Sequence, residues 1–292
     1  MKVDIYADIV FINGSVITVN SKNEICEAVA VREDKIIYVG TNAGIADYIG
    51  EKTQTVDLQG TTLMPGFVEA HSHFMLNAIL LNEIVIPIDY TICKSIKDIQ
   101  KIIQKTVPKR KKGEWIILQG YDQNKLKEQR HPHFSELDAV SPKNPVWCVR
   151  ADLHTGVCNS MAMKIAGWTK ESAKNFQPGE LDLDENGELT GLVKEEGFGY
   201  LNSMITYDDE KLLEAYKLCD KMFLSKGITS VHDAGAYGGQ FVKVLQTACM
   251  NRDVHIRVYE MIYRMLGKQS IKDFIYAVSY THLRAHETEA DL

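Results

Sequence analysis

The sequence lacks the features that mark secreted, membrane-spanning and zinc-knuckle proteins. Its six cysteines are scattered and form no C-x-x-C pair, which argues against a disulfide framework and a zinc knuckle. No apolar run approaches the ~18 residues of a membrane helix. Asp4 and Asp8 interrupt the segment where a signal peptide has its apolar core. We therefore expect a cytoplasmic protein with reduced thiols.

An excess of basic charge is also absent. The 292 residues include 33 Lys and Arg against 39 Asp and Glu, which gives a formal net charge of −6. Nucleic-acid binding needs clustered Lys and Arg, and the short basic run at 105–114 is typical of a solvated loop. With 45% hydrophobic residues the chain can bury a sizeable core. We expect a globular protein of more than one unit, with neither a nucleic-acid nor a membrane partner.

The first 63 residues alternate apolar and polar positions in short runs separated by turn residues. Asn13-Gly14 and Glu33-Asp34 predict hairpins, so we expect a small antiparallel unit over residues 1–63. The next segment, from Leu63 to Ala70, is mostly apolar and contains the Pro65-Gly66 break. That pattern predicts a strand buried on both faces.

Residues 80–210 predict a mixed region. A helix is expected near 95–107 with Ser95 as its N-cap, strands are expected at 115–120 and 145–150, and Asn186-Gly187 predicts a hairpin. From Asp209 to residue 262 the pattern becomes helix, strand, helix, strand, which is typical of a parallel α/β structure.

The histidine pattern H-x-H occurs twice. In PGFVEAHSHF, residues 65–74, the side chains of His71 and His73 project to one side of a strand. Paired imidazoles at a strand end suit a divalent metal, with Zn²⁺ as first choice; two hydrogen-bonded histidines without a metal are the alternative. His131 and His133 flank Pro132, before a short helix that begins with Ser135, so we expect a loop there and no metal role.

Several segments resemble the amidohydrolase superfamily, and within it the YtcJ-like branch that includes the N-substituted formamide deformylases. They are EAVAVREDKIIYVG, TQTVDLQGTTLMPGFVEAHSHF, WIILQGYD, RADLHTGVCNS, GELTGLVKEE and KGITSVHDAG, and the resemblance covers residues 3–262. It implies an α/β fold: a partial TIM barrel over residues 64–277, an N-terminal β-sandwich portion over 1–63, and a large insertion at about 80–210, after the first barrel strand.

The resemblance also implies a chemistry. A divalent metal, Zn²⁺ first, would be held by His71 and His73, and metal-activated water would hydrolyse a C–N bond in a small amide such as an N-substituted formamide. A small-molecule amide is the expected partner, and a homo-oligomer is compatible with the sequence. Two alternatives stay open: another amidohydrolase, such as a cyclic amidase or deaminase, and a non-catalytic fragment that lacks the remaining metal ligands.

The second alternative follows from the number of residues in the barrel. A barrel of ~250 residues gives ~30 residues to each βα unit, so the sequence outside the insertion accommodates about three units. Segments resembling the later metal-binding strands of the superfamily are absent. Residues 278–292 break the α/β alternation, and VSYTHLRAHETE looks like translated sequencing-adapter read-through. We expect a non-native tail there with few buried contacts, and assign no metal to its His282, His286 and Glu287.

Two residues are candidates for proton transfer at the active site. His154, in RADLHTGVCNS, is expected to face substrate or handle protons, and Glu195, in GLVKEE, matches a glutamate typical of the branch. The alternatives are a structural histidine and an exposed carboxylate at a helix start.

Further polar residues are expected near the site. His232 and Asp233 end a strand and alternate faces, which favours a supporting position over metal ligation. For Asp122 a turn-capping role is the alternative to substrate contact. The residues expected to contact substrate are Asp122, Arg150, Asp152 and Asn159.

Overall fold

A computed structural model of the chain describes residues 5–235 and 239–261. The chain divides into two compact units, residues 1–67 and 68–292, at a boundary close to the one expected after residue 63. The predicted tail at 278–292 lies outside the described residues.

Short strands form the first unit, as the alternating pattern predicts. Its described part contains β1 (Ile9–Ile12), β2 (Ser15–Ile17), β3 (Ile25–Cys26), β4 (Ala28–Arg32), β5 (Lys35–Gly40), β6 (Gln54–Asp57) and β7 (Thr62–Leu63). They form two sheets, with strand orders β5-β4-β1-β6 and β3-β2-β7. The pairs β1–β6 and β2–β7 are parallel, which corrects the expectation of a wholly antiparallel unit.

The two turns predicted in this unit have different outcomes. Glu33-Asp34 joins β4 to β5 in an antiparallel hairpin, as predicted. Asn13-Gly14 joins β1 to β2, which lie in different sheets, so the hairpin prediction there is wrong. Asn13 adopts φ 57°, and its backbone N–H donates to Asn42 Oδ1 at 2.9 Å. The turn is therefore held by a distant residue rather than by strand pairing across it.

Helices and strands alternate in the second unit. Its first half contains β8 (Phe67–Ser72), α1 (Phe74–Leu81), β9 (Val85–Pro87), α2 (Ile96–Thr106), β10 (Ile116–Tyr121), α3 (Phe134–Asp138), β11 (Val146–Arg150) and β12 (Thr155–Cys158). There follow α4 (Ser160–Ile165), β13 (Leu181–Leu183), β14 (Leu189–Lys194), α5 (Glu195–Ser203), α6 (Asp209–Leu224), β15 (Ile228–Asp233), α7 (Gly239–Met250) and β16 (Arg257–Glu260). The fold is mixed α/β, and the described strands form no closed barrel.

A six-stranded sheet, ordered β13-β14-β12-β11-β10-β9, occupies the region of the predicted insertion. Helix α2 lies where the apolar spacing predicts it, and Ser95 Oγ accepts a hydrogen bond from the Asp98 N–H at 3.2 Å. The Asn186-Gly187 hairpin joins β13 to β14. Trp147 is fully buried in this region, and Gly156 is required opposite it, because a Cβ there would lie 2.5 Å from the indole ring.

A three-stranded sheet, ordered β16-β15-β8, carries the first H-x-H motif at the end of β8. β15 and β16 are parallel, and α1 packs against α6 through stacked rings of Phe74 and Tyr216, 6.1 Å apart. Strand β8 corrects the expectation of burial on both faces. Phe67 and Val68 are 53% and 60% exposed, because no layer covers them within the described residues; Ser72 is buried.

All six cysteines are free thiols, and Cys93, Cys148, Cys158 and Cys219 are buried. Within residues 5–235 and 239–261, none of the helices combines the length and apolar character needed to cross a membrane.

Candidate active site

The imidazoles of His71 and His73 lie next to each other at the end of β8. Their ring centroids are 5.5 Å apart with the ring planes nearly perpendicular. Zinc binds an imidazole nitrogen at ~2.0–2.1 Å, so this separation leaves room for one ion between the rings. The i, i+2 spacing on a strand explains the arrangement, although β8 ends at Ser72 and His73 is the N-cap residue of α1.

His73 does not use its side chain to cap α1. Its Nδ1 is buried and has no hydrogen-bond partner among the described residues. The N–H of Met75 donates instead to Asp233 Oδ2, at 2.8 Å. Asp233 is fully buried, and burial raises the pKa of its carboxyl to about 6, although the N–H of Met75 acts in the opposite direction.

His71 and His73 supply part of the ligand set that a divalent metal requires. An unpartnered buried imidazole nitrogen is costly unless a further group satisfies it, and a divalent metal would satisfy that of His73. Catalytic zinc sites generally have three protein ligands, and the described residues bring together no group of three or more His, Cys, Asp or Glu side chains suited to an ion. His71 and His73 therefore fit two positions of a metal centre.

His154 and Glu195, 41 residues apart in the sequence, lie in contact. His154 Nδ1 is 3.2 Å from Glu195 Oε2, and the N–H of Glu195 donates to the carbonyl of His154 at 3.0 Å. The pairing of β12 with β14, which sets Thr155 opposite Lys194, brings them together. Both side chains are exposed, and Glu195 borders an open cavity of about 470 Å³ that Phe176 and Tyr200 also line.

With an ionised Glu195, the contact between these two side chains selects one tautomer of His154. An ionised carboxylate only accepts hydrogen bonds, so Nδ1 of His154 must carry the proton that it donates to Glu195. Nε2 of a neutral His154 then has a free lone pair. The pair can therefore accept a proton at Nε2 and stabilise the resulting imidazolium.

Arg150 contacts two of the remaining predicted residues. Its Nη1 lies 2.6 Å from Asp152 Oδ2 and its Nη2 lies 3.5 Å from Asp122 Oδ1. Asp152 Oδ1 accepts the N–H of His154 at 3.1 Å, so this ion-pair network supports the loop that carries His154. Asp122 also accepts the N–H of Asn124, the turn-capping role that was its alternative. Gln123, which the sequence did not single out, accepts from Arg150 Nε at 2.5 Å.

Asn159 has a structural role in the fold. It is fully buried, and its Oδ1 accepts the N–H groups of Val146 and Ala162 at 2.9 and 3.1 Å. Its Nδ2 donates to the carbonyls of Ser141 and Asn144 at 3.1 and 3.0 Å. All four hydrogen-bonding positions of the amide are therefore occupied. This arrangement contradicts the expectation that Asn159 contacts substrate.

The second H-x-H motif lies in a loop, as predicted, and both imidazoles are engaged. His131 Nδ1 is 2.8 Å from the Tyr121 hydroxyl. His133 is the N-cap of α3, which begins at Phe134 rather than at Ser135, and its imidazole accepts the Ser135 N–H. Glu136 completes a capping box by accepting the His133 N–H at 2.8 Å.

The ends of β15 and β16 place two carboxyls side by side. Asp233 pairs with Glu260 in the strand register, and His232 pairs with Tyr259. Both carboxyl oxygens of Glu260 are buried without a described partner. Burial, and secondly the charge of Asp233, raises the pKa of Glu260 to about 8. The sequence analysis assigned no role to Glu260. A usable signal was present, because Glu260 ends β16 as Asp233 ends β15.

Comparison with known proteins defines the class. A sequence profile described as "Amidohydrolase family" matches residues 54–285, extending into the expected tail. Protein LONG AFTER FAR-RED 3 of Arabidopsis thaliana is 30% identical over 239 residues, which cover 80% of this chain and 39% of that protein. The N-substituted formamide deformylase of Arthrobacter pascens is 27% identical over 232 residues, which cover 78% of this chain and 42% of the enzyme.

Solved structures show the same fold. An uncharacterized metal-dependent hydrolase from Pyrococcus horikoshii OT3 aligns with a TM-score of 0.67 and 22% identity over 92% of this chain and 50% of its own. The chain belongs to the amidohydrolase family. The likeness to a formamide deformylase agrees with the YtcJ-like branch that the motifs indicate, and the chain spans about two fifths of the length of these curated relatives.

Proposed function

We propose that the protein is a metal-dependent hydrolase of C–N bonds in small amides, and that His71 and His73 are two ligands of its divalent metal, with Zn²⁺ as first choice. The observation that carries the proposal is the pair of adjacent imidazoles at the end of β8, of which the buried Nδ1 of His73 has no hydrogen-bond partner within the described residues. Membership of the amidohydrolase family supports it.

The proposal includes the architecture. The sheet β16-β15-β8, with α1, α6 and α7, corresponds to the first βα units of a partial TIM barrel, and its strand order follows from helices that connect neighbouring strands. Residues 1–63 correspond to a β-sandwich portion, and the six-stranded sheet to an insertion after the first barrel strand. The fold-level likeness to the Pyrococcus horikoshii structure supports this assignment.

The side chains then have separate tasks. A bound divalent metal supplies an activated water and polarises the amide carbonyl. His154, oriented by Glu195, accepts and returns a proton at Nε2. Arg150, Asp122 and Asp152 hold the His154 loop and present polar groups to the substrate. The proposed substrate, an N-substituted formamide, is supported by the name of the relative that is 27% identical.

A second candidate function is metal binding without turnover. It is favoured by one observation: in the part of the chain that the structure describes, no third metal-ligating side chain joins His71 and His73. Two neutral ligands bind a metal weakly and lower the pKa of its water poorly. A different amidohydrolase reaction, on a cyclic amide or an aminated heterocycle, remains the enzymatic alternative.

A turnover assay separates these functions. The 292-residue chain is loaded with Zn²⁺ and given N-substituted formamides, a cyclic amide and an aminopurine, while formate, ring opening and ammonia are measured. The first proposal predicts metal-dependent formate release that the double variant His71→Ala/His73→Ala abolishes. The matched control, His131→Ala/His133→Ala, should retain activity.

Other outcomes of this assay have definite meanings. Zn²⁺ binding through His71 and His73 without any product supports the second function. Product from the cyclic amide or the aminopurine alone contradicts the formamide assignment and favours the enzymatic alternative. If neither Zn²⁺ binding nor turnover depends on His71 and His73, both proposed functions are wrong.

A further inference from the structure

The first turn of α1 is capped in an unusual way. The first N–H groups of a helix have no partner within the helix, and the side chain of the N-cap residue commonly accepts one of them. At α1 the N-cap residue is His73, whose side chain accepts none. The acceptor of the Met75 N–H is Asp233, which ends β15 and lies 158 residues further along the chain.

Other helices of the same unit begin differently. Four of them are capped by the side chain of their own N-cap residue: Ser95 for α2, His133 for α3, Asn159 for α4 and Asp208 for α6. At α3 the cap is an imidazole, and it accepts the N–H of the second helical residue, Ser135. Met75 is the equivalent residue of α1. The residue type therefore does not prevent His73 from capping its helix.

Two bonds place Asp233 at this turn. The N–H of Ala234, the next residue, donates to the carbonyl of Ser72 at 2.6 Å, which joins the end of β15 to the end of β8 immediately before His73. Asp233 Oδ2 then reaches the Met75 N–H on the other side of His73. In the sequence His73 lies between Ser72 and Met75, the two residues that form these bonds, and the buried Nδ1 of its imidazole has no described partner.

We propose that Asp233 is a positioning residue for the metal-binding pair: by capping α1 in place of His73, it leaves the imidazole of His73 free to bind the metal. A nitrogen lone pair that accepts a backbone N–H is not available to a metal, so the two uses of Nδ1 exclude each other. The inference rests on the proposed function, in which His71 and His73 are metal ligands.

The test measures Zn²⁺ affinity by competition with a chromophoric chelator at pH 7.5, in the 292-residue chain and its variants. Asp233→Ala removes the cap and should weaken Zn²⁺ binding by ~10–100-fold, the usual loss when a group that orients a metal ligand is removed. Asp233→Asn retains a carbonyl oxygen that can accept the Met75 N–H, and should bind Zn²⁺ within a few-fold of the parent chain. Asp208→Ala, which removes the cap of α6, should leave the affinity unchanged.

A second measurement needs no metal. In the metal-free chain with ¹⁵N-labelled histidine, the Nδ1 resonance of His73 is assigned through His73→Ala. In Asp233→Ala it should move towards the value of His133 Nδ1, the imidazole that caps α3. In Asp233→Asn it should stay at the parent position.

Each result decides between the inference and the function on which it rests. Parent-like Zn²⁺ affinity in Asp233→Ala, while His73→Ala loses it, overturns the positioning role and leaves the metal site intact. An equal loss in Asp208→Ala overturns it too, since general destabilisation then explains the effect. If Asp233→Ala does not fold, loss of affinity in folded Asp233→Asn overturns the inference and retention supports it. Parent-like affinity in both His71→Ala and His73→Ala contradicts the proposed function itself.

Discussion

The segments 71–73 and 131–133 have the same H-x-H pattern, and in both the second histidine precedes a helix. In the second segment, His131 contacts the Tyr121 hydroxyl and His133 caps α3. In the first, Asp233 caps α1, and the imidazoles of His71 and His73 contact each other. The difference shows that the spacing of two histidines does not determine whether they can bind a ligand. The two segments differ in which side chain caps the helix that follows and in whether the first imidazole has a hydroxyl partner.

The largest effect should separate the two segments in metal binding. Replacing His71 and His73 with Ala should lower Zn²⁺ affinity by more than ~100-fold, beyond the loss that an orienting group alone produces. The same double replacement at His131 and His133 should leave the affinity within a few-fold, because neither imidazole there is free. Isothermal titration with Zn²⁺ measures both, and equal losses in the two double variants would remove the distinction between the segments.

In stability the second segment should be the more sensitive of the two. In the metal-free chain His133→Ala should lower the free energy of unfolding by ~0.5–2 kcal/mol, because α3 loses its cap. His73→Ala should cost clearly less, since the cap of α1 is supplied by Asp233. Urea denaturation of both variants measures the difference, and a cost for His73→Ala that matches His133→Ala would contradict the capping assignment.

Near the first segment, the buried carboxyl of Glu260 should make the stability of the chain fall as the pH rises. Burial raises the pKa of Glu260 from 4.5 to about 8 in the folded chain, so between those values the folded state binds more protons than the unfolded state. Its contribution to stability is present below pH 4.5 and is lost as the pH rises towards 8. Glu260→Gln should therefore gain stability relative to the parent at pH 8 compared with pH 5. Urea denaturation at both values tests this, and a constant difference between the chains would contradict it.

In the second segment, the imidazole of His131 should give stability a smaller pH dependence of the opposite sign. Burial lowers the pKa of His131 below its ordinary 6.5, so the unfolded state takes up a proton first as the pH falls. The stability that depends on neutral His131 is present above pH 6.5 and is lost as the pH falls through that value towards the lower folded pKa. His131→Gln should reduce this loss when unfolding is measured at pH 7 and pH 5.5. An NMR titration that places the pKa of His131 at or above 6.5 would contradict the sign.

Local sequence patterns predicted the elements whose stabilising bonds are local. Ser95 caps the helix that follows it, and Asn186-Gly187 joins neighbouring strands, so three or four residues contain the necessary information. Asn13-Gly14 was misinterpreted because the bond that holds its turn comes from Asn42. Strand β8 was expected to be buried because its residues are apolar, but burial depends on covering layers that no local pattern contains.

The contacts of the candidate site also fall into two groups, those that follow from local sequence and those that do not. The contact between His71 and His73 follows from the geometry of a strand. The contact between His154 and Glu195 depends on the register of β12 and β14, so the resemblance indicated both residues without predicting their hydrogen bond. Asn159 matched a motif near the site, but its amide stabilises the chain around α4. The sequence indicated a supporting position for Asp233 but not that it caps α1, because rules for helix caps use neighbouring residues and this cap is 158 residues away.

The distance in sequence between Met75 and Asp233 also has a consequence for protein synthesis. A ribosome adds ~5–20 residues per second, so Asp233 emerges on the order of ten seconds after the helix that it caps. During that interval the first turn of α1 lacks the acceptor that Asp233 supplies, and its N-cap residue, His73, has an imidazole able to accept in its place. We expect nascent chains arrested before residue 233 to hold His73 in the capping role, and chains arrested well beyond it to release that imidazole. If His71 and His73 bind a metal as proposed, its capture should be a late event in translation, which Zn²⁺ retention by ribosome-bound chains of increasing length would measure.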